Sequence, residues 1–194
     1  MKRLAILLSL FFIGGGMYAQ VSLLPQVGLS LTRYNTDPPP FTQKGRVGLH
    51  FGTHVRFGDK VYFQPGVFFL RQKVELEEIE FPLPPVPNRD QINLNSVMIS
   101  GVAGFHLIHS DVFRVRLSAG PTATIVTAVA QNKLGLSKES YNNMNYGARA
   151  GLGFDFSVIT LDINYDHGLN DALTSAESKI RMLSASAGVR FTFN

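Results

Sequence analysis

The end of the chain alternates. Leu183, Ala185, Ala187, Val189, Phe191 and Phe193 are apolar, and Ser184, Ser186, Gly188, Arg190 and Thr192 between them are small or polar. Period-two alternation describes a β-strand with one greasy and one wet face. Such a strand fits two folds. In a soluble barrel or sandwich the greasy face points to a core, and in a membrane barrel it points to lipid.

The same pattern recurs upstream. Leu23, Val27, Leu29 and Leu31 oppose Ser22, Gln26, Gly28, Ser30 and Thr32. Val47, Leu49, Phe51, Val55 and Phe57 oppose Gly48, His50, Gly52, His54 and Arg56. A third segment, VYFQPGVFFLRQKVEL, has Val61, Phe63, Pro65, Val67 and Phe69 on its cleaner face, while Phe68 and Leu70 spoil the other. A fourth covers roughly Asn93 to Ile108. In the fifth, Phe113, Val115, Leu117 and Ala119 oppose Arg114, Arg116, Ser118 and Gly120. In the sixth, Tyr146, Ala148, Ala150, Leu152, Phe154 and Phe156 oppose Gly147, Arg149, Gly151, Gly153 and Asp155. In the seventh, Leu161, Ile163 and Tyr165 oppose Asp162, Asn164 and Asp166. The closing segment is the eighth.

The connections alternate in length. Gly58–Lys60, His109–Asp111 and Ser157–Ile159 are tight. Asn35–Gln43, Glu75–Asp90, Ala130–Met144 and Asn170–Ser178 are long and polar or proline-rich. Short turns at one end and long loops at the other are the pattern of an outer-membrane barrel, with both termini on the short-turn side. Pro38-Pro39-Pro40 and FPLPPVPNRD fall in the expected outer loops, where they break no ladder.

The wet faces decide between the two folds. They gather Arg56, Arg114, Arg116, Arg149 and Arg190 with Asp155, Asp162 and Asp166, while the greasy faces carry almost no charge. A soluble surface is normally rich in Lys and Glu. Arginine, aspartate, serine and glycine suit a crowded, hydrogen-bonded lumen, because the guanidinium fork pairs with carboxylates bidentately. Those eight residues are the expected polar network of the lumen.

Composition agrees. Charged residues are only 16% of 194 against 45% hydrophobic, and a typical soluble domain is about 25% charged. After residue 20 no apolar run reaches the ~20 residues of a spanning helix. There is no cysteine, so neither a disulfide nor a thiolate site is possible. The formal charge is +4; without Lys2 and Arg3 it is +2, and no basic run points to nucleic acid. Lys2-Arg3, the apolar Leu4 to Ile13, Gly14-Gly15-Gly16 and Met17-Tyr18-Ala19 have the layout of an export signal cut before Gln20. The expected organisation is a signal peptide over 1–19 and an all-β, eight-stranded antiparallel up-and-down transmembrane β-barrel over 20–194.

Three stretches also carry a family likeness. GRVGLHFGTHVRFGDKVYFQPGVFFLRQK, RVRLSAGPTATI and the run from Tyr146 to Phe193 with GARAGLGFDF, Tyr165 and Gly168-Leu169 follow one another in order. Together they resemble the outer-membrane β-barrel family of Bacteroidetes called porin-family or PorT-like proteins. The resemblance covers nearly all of residues 20–194 and implies an outer-membrane location. It implies no particular role: one namesake takes part in protein secretion, and most members have no assigned role.

Catalytic and metal chemistry finds little support. His50 and His54 lie about 13 Å apart along one strand face at ~3.3 Å per residue, too far to share a metal ion, which needs three or four converging ligands. They read as lumen filling. His106 and His109 are expected near a turn and His167 near an outer loop. A Ser–His–acid set could draw on His167 with Asp166, Asp171, Ser175 or Ser178, but Asp166 and His167 are sequence neighbours and point to opposite faces. GARAGLGF lacks the following helix of a nucleotide loop, and no GxSxG or HExxH occurs. Glu75, Glu77, Glu78 and Glu80 form an acidic run that reads as a solvated loop base, with cation-bridged lipopolysaccharide as the alternative.

The expectation is a non-enzymatic structural or interaction barrel without cofactor, catalytic or metal site. Its expected partners are outer-membrane lipid and lipopolysaccharide, the barrel assembly machinery and a protein met by the outer loops. A small-solute pore or ligand-binding barrel is the alternative, since Gly48, Gly52, Gly147, Gly151 and Gly153 could leave a cavity. A lipid-modifying enzyme ranks third.

Overall fold

The computed structural model describes residues 20–36, 41–45, 47–78, 88–110, 112–129, 144–170 and 178–193. The leader expected over 1–19 lies outside them. So do the prolines at 38–40, most of the two longest loops, Asp171 and Ser175.

The described residues form ten β-segments: β1 (Val21–Thr36), β2 (Phe41–Gly45), β3 (Val47–Gly58), β4 (Val61–Glu78), β5 (Asn88–His109), β6 (Phe113–Val129), β7 (Met144–Phe156), β8 (Ile159–Gly168), β9 (Ser178–Val189) and β10 (Phe191–Phe193). Each pairs antiparallel with its neighbour, in the order β1-β3-β4-β5-β6-β7-β8-β9. β9 pairs back onto β1, from Gln26↔Gly188 to Thr36↔Ser178, so the sheet closes. β2 continues the line of β3 along β4, and β10 continues β9 along β1. The ten segments are thus eight staves, and the expected eight-stranded antiparallel barrel is the fold observed. Closure leaves no open edge in the wall, so its backbone polar groups pair between staves rather than with water, apart from the bulges in the β5–β6 ladder.

Side-chain exposure follows the sequence alternation and fixes its sense. Val27 and Leu29 are 60% and 53% exposed on the outer wall, while Ser30 between their row and the next is 2% exposed inside. β7 and β8 alternate exposed and buried almost without a break. The exposed residues are the apolar ones. A soluble barrel would show the reverse, so this wall is built to meet hydrocarbon.

Two sequence expectations need correction. Asn35–Gln43 is not wholly a loop. Asn35 and Thr36 extend β1, and Phe41–Gly45 forms β2 against Val74–Glu78. Likewise the β4–β5 ladder runs on to Glu78↔Asn88, through residues expected in a loop. At 18 and 22 residues, these strands far exceed the roughly 9–11 needed to cross a bilayer. The part of β4 that projects past the wall offers unpaired backbone groups, and β2 satisfies them.

The second correction concerns the lumen, which is not uniformly polar. Phe68, Leu70, Met98 and Met182 form a buried apolar cluster inside the half nearer the long connections. Leu24 and Val102 are also buried inside. The broken alternation at Phe68 and Leu70 marks this internal layer.

The tight connections are held by backbone. Gly58 has φ 102° and Ser157 φ 53°, the left-handed region that hairpin turns require. The Ser157 amide donates to Val112 O at 3.0 Å, and the Arg190 amide to Val158 O at 2.7 Å.

Candidate functional site

The chemically distinctive region is the lumen near the short-turn end. Arg116 on β6 stands at its centre. Its Nη2 lies 2.8 Å from Asp155 Oδ1 and its Nη1 2.9 Å from Asp162 Oδ1, so one guanidinium joins carboxylates from β7 and β8. Nη2 also donates to Thr160 Oγ1 at 2.5 Å. On the far wall, Arg56 of β3 donates from Nη1 to Asp155 Oδ2 at 2.9 Å and from Nε to Gln64 Oε1 at 2.8 Å. Its guanidinium lies 4.9 Å from the Tyr62 ring centre, a cation–π contact. Gln26 of β1 donates to Asp162 Oδ2 at 2.5 Å. The side chains of five staves meet at two carboxylates.

Higher in the barrel, Arg149 holds Asp166 through Nε at 2.8 Å and Nη2 at 3.0 Å, a bidentate pair. The same Nη2 reaches Met98 Sδ at 3.0 Å. Above it, Gln72 of β4 donates to Thr32 Oγ1 of β1 at 2.6 Å. Three buried arginines therefore face three buried aspartates. That balance matters, because an unpaired charge in so dry a site costs several kcal/mol (about 3–5 when one partner is removed).

Six of the eight expected network residues come together inside: Arg56, Arg116, Arg149, Asp155, Asp162 and Asp166. Arg114 and Arg190 do not join them fully. Arg114 turns to the turn-end rim, where it meets Asp59 at 3.3 Å and Ser110 O at 3.3 Å. Arg190 sits at the mouth, donating to Ser157 O at 2.7 Å with Nη1 3.7 Å from Asp155. Both have inward parity, but they stand at the strand ends, where a long side chain reaches turn carbonyls first.

His106 and His109 lie toward the short-turn end, as the sequence placed them. The His106 side chain turns inward there, buried 4.0 Å from Asp155 and tilted against the Tyr62 ring. His109 does lie at the rim, 3.4 Å from Asp59. His50 pairs with Ser186 Oγ at 3.2 Å, and His54 packs on the Phe68 ring. No group of three or more metal-type ligands occurs among the described residues. His167 and Asp166 stay apart, since Asp166 faces inward to Arg149.

The glycines of the wet faces accommodate large neighbours. A Cβ on Gly153 would collide with the Arg116 guanidinium, and one on Gly66 would collide with the His54 ring. The space that glycine frees is thus filled from the adjacent strand. About 10 Å³ remains between His50, His54, Phe68, Arg149 and Ser186, and about 50 Å³ near Leu70, Gln72 and Asp166. A single water needs roughly 10–15 Å³, so these voids hold a few waters at most.

A closed antiparallel barrel with an apolar outside and a charge-paired inside is a transmembrane β-barrel. The chain belongs to the family of the outer membrane protein beta-barrel domain, whose family model matches residues 15–174. Its place is the outer membrane. No curated protein matches the sequence. Among solved structures, OprG from Pseudomonas aeruginosa is similar at 11% identity and TM-score 0.53, over 91% of this chain and 97% of that one. Neisserial surface protein A is similar at 15% identity and TM-score 0.52, over 87% and 97%. At these identities the likeness is one of fold.

Proposed function

We propose that this protein is a structural or interaction barrel of the outer membrane, with a lumen sealed by its own side chains and no enzymatic activity. The observation that carries the reading is the Arg56–Asp155 pair. β3 and β7 are four staves apart in a ring of eight, so this 2.9 Å contact spans the whole diameter. An eight-stranded barrel has an interior just wide enough for side chains, and here those side chains meet in the middle. The three stretches quoted above support placing the protein in the porin-family or PorT-like branch of Bacteroidetes barrels. The projecting β2–β4–β5 blade supports contact with a protein partner at the loop end. Outer-membrane lipid and the barrel assembly machinery are the remaining proposed partners.

The test is solute flux through proteoliposomes. Vesicles holding the folded barrel should swell in small sugars no faster than empty vesicles. Swelling that scales with protein content would overturn the sealed lumen and favour a small-solute pore.

A further inference from the structure

Near the loop end of the outer wall the apolar rows stop, and arginine takes their place. Arg33 on β1 and Arg181 on β9 are Cα partners across the ladder, and both side chains are exposed. His167 of β8 pairs with Arg181 from the other side. Like charges directly opposite on neighbouring strands destabilise a sheet. Among the described residues no carboxylate relieves this pair. One step toward the membrane the partners are Leu31, Leu183 and Tyr165, again in register across β1, β9 and β8. Arg33, Arg181 and these three residues line an outward groove of about 360 Å³.

From this arrangement we infer a binding site for the phosphate headgroup of an outer-leaflet lipid. Two guanidinium forks supply donors suited to phosphate oxygens, and a bound phosphate removes the repulsion between them. The apolar row below accepts the first part of an acyl chain, with Tyr165 at the boundary where aromatic girdles lie. The height of the site selects its leaflet, because the long connections face the cell exterior. Free phosphate would use the arginines but leave the apolar floor empty. The inference rests on the outer wall meeting lipid and is independent of whether the lumen is sealed.

Native mass spectrometry of the folded protein in detergent tests it, with bisphosphorylated lipid A as probe and its dephosphorylated form as control. The phosphorylated lipid should bind. The double variant Arg33→Gln/Arg181→Gln should bind about tenfold more weakly, equivalent to ~1.4 kcal/mol. Arg71→Gln, which removes an exposed outer-wall arginine on β4, should bind as the parent does. Heat-modifiable migration verifies that each variant is folded, and Arg181→Gln alone, a milder change, should already weaken binding. Equal binding of the dephosphorylated lipid would overturn the proposal. So would an unaffected double variant, an equal loss in Arg71→Gln, or displacement by inorganic phosphate at the lipid's own concentration.

Discussion

Asp155 Oδ2 accepts from Arg56 Nη1 at 2.9 Å across the full width of the barrel, while its Oδ1 lies 2.8 Å from Arg116 Nη2. One carboxylate therefore ties three walls together. Asp155→Ala takes from Arg56 its carboxylate partner and leaves Arg116 with Asp162 alone in a packed interior. The expected loss is about 3–5 kcal/mol of folding stability, measured by urea titration in lipid vesicles. An unchanged midpoint would mean that water, not Asp155, satisfies the arginines.

Gly153 and Gly101 make a matched pair. A Cβ at Gly153 would strike the Arg116 guanidinium, whereas one at Gly101 meets only the Phe63 ring at 3.7 Å, an ordinary contact. Gly153→Ala should cost about 1–3 kcal/mol, the usual range for overpacking. Gly101→Ala, on the outer wall, should be close to neutral. The same urea titration compares the two, and equal effects would contradict a packed lumen.

The sense of the faces can be read at Ala187 and Ser186. Ala187→Arg puts a charge in hydrocarbon at roughly 2–4 kcal/mol if near the midplane. Polarity alone says that Ser186→Arg should be milder. The structure revises this: Ser186 is buried against His50, with about 10 Å³ free beside it. Arginine there is expected to impair folding too, while Ser186→Ala loses one hydrogen bond at about 1 kcal/mol. Heat-modifiable migration after refolding gives the order Ser186→Ala far above both arginine variants.

Ser157 holds φ 53° in the two-residue connection from β7 to β8. A β-branched side chain is strained there, so Ser157→Val should cost on the order of 1–2 kcal/mol. Ser157→Gly should be tolerated or slightly stabilising. Equilibrium unfolding of the two variants separates them.

Much of the barrel was legible in the sequence, because a strand facing lipid on one side and a lumen on the other has a period-two code. Eight staves, their inner faces and the short turns followed from residues such as Leu29, Ser30, Arg149 and Asp155. What the code missed was non-local. Phe41–Gly45 has no strong alternation of its own and becomes a strand because β4 offers an edge. Phe68 and Leu70 read as noise until Met98 and Met182, far along the chain, are seen to meet them. Arg114 and Arg190 have the parity of lumen residues, but parity gives no height. The partner of Arg56 could not be read at all, since ring closure alone brings β3 opposite β7. Nothing in the alternation singled out Arg33 and Arg181, because their juxtaposition depends on the closing register of β1 with β9.

Everything proposed for the lumen rests on its being closed by side chains such as Arg56 and Asp155. Single-channel recording of the purified, folded barrel in a planar bilayer tests it most directly. A barrel filled by its own side chains should give a baseline without stable conducting events at moderate voltage in molar salt. Stable, reproducible openings on the nanosiemens scale would contradict it.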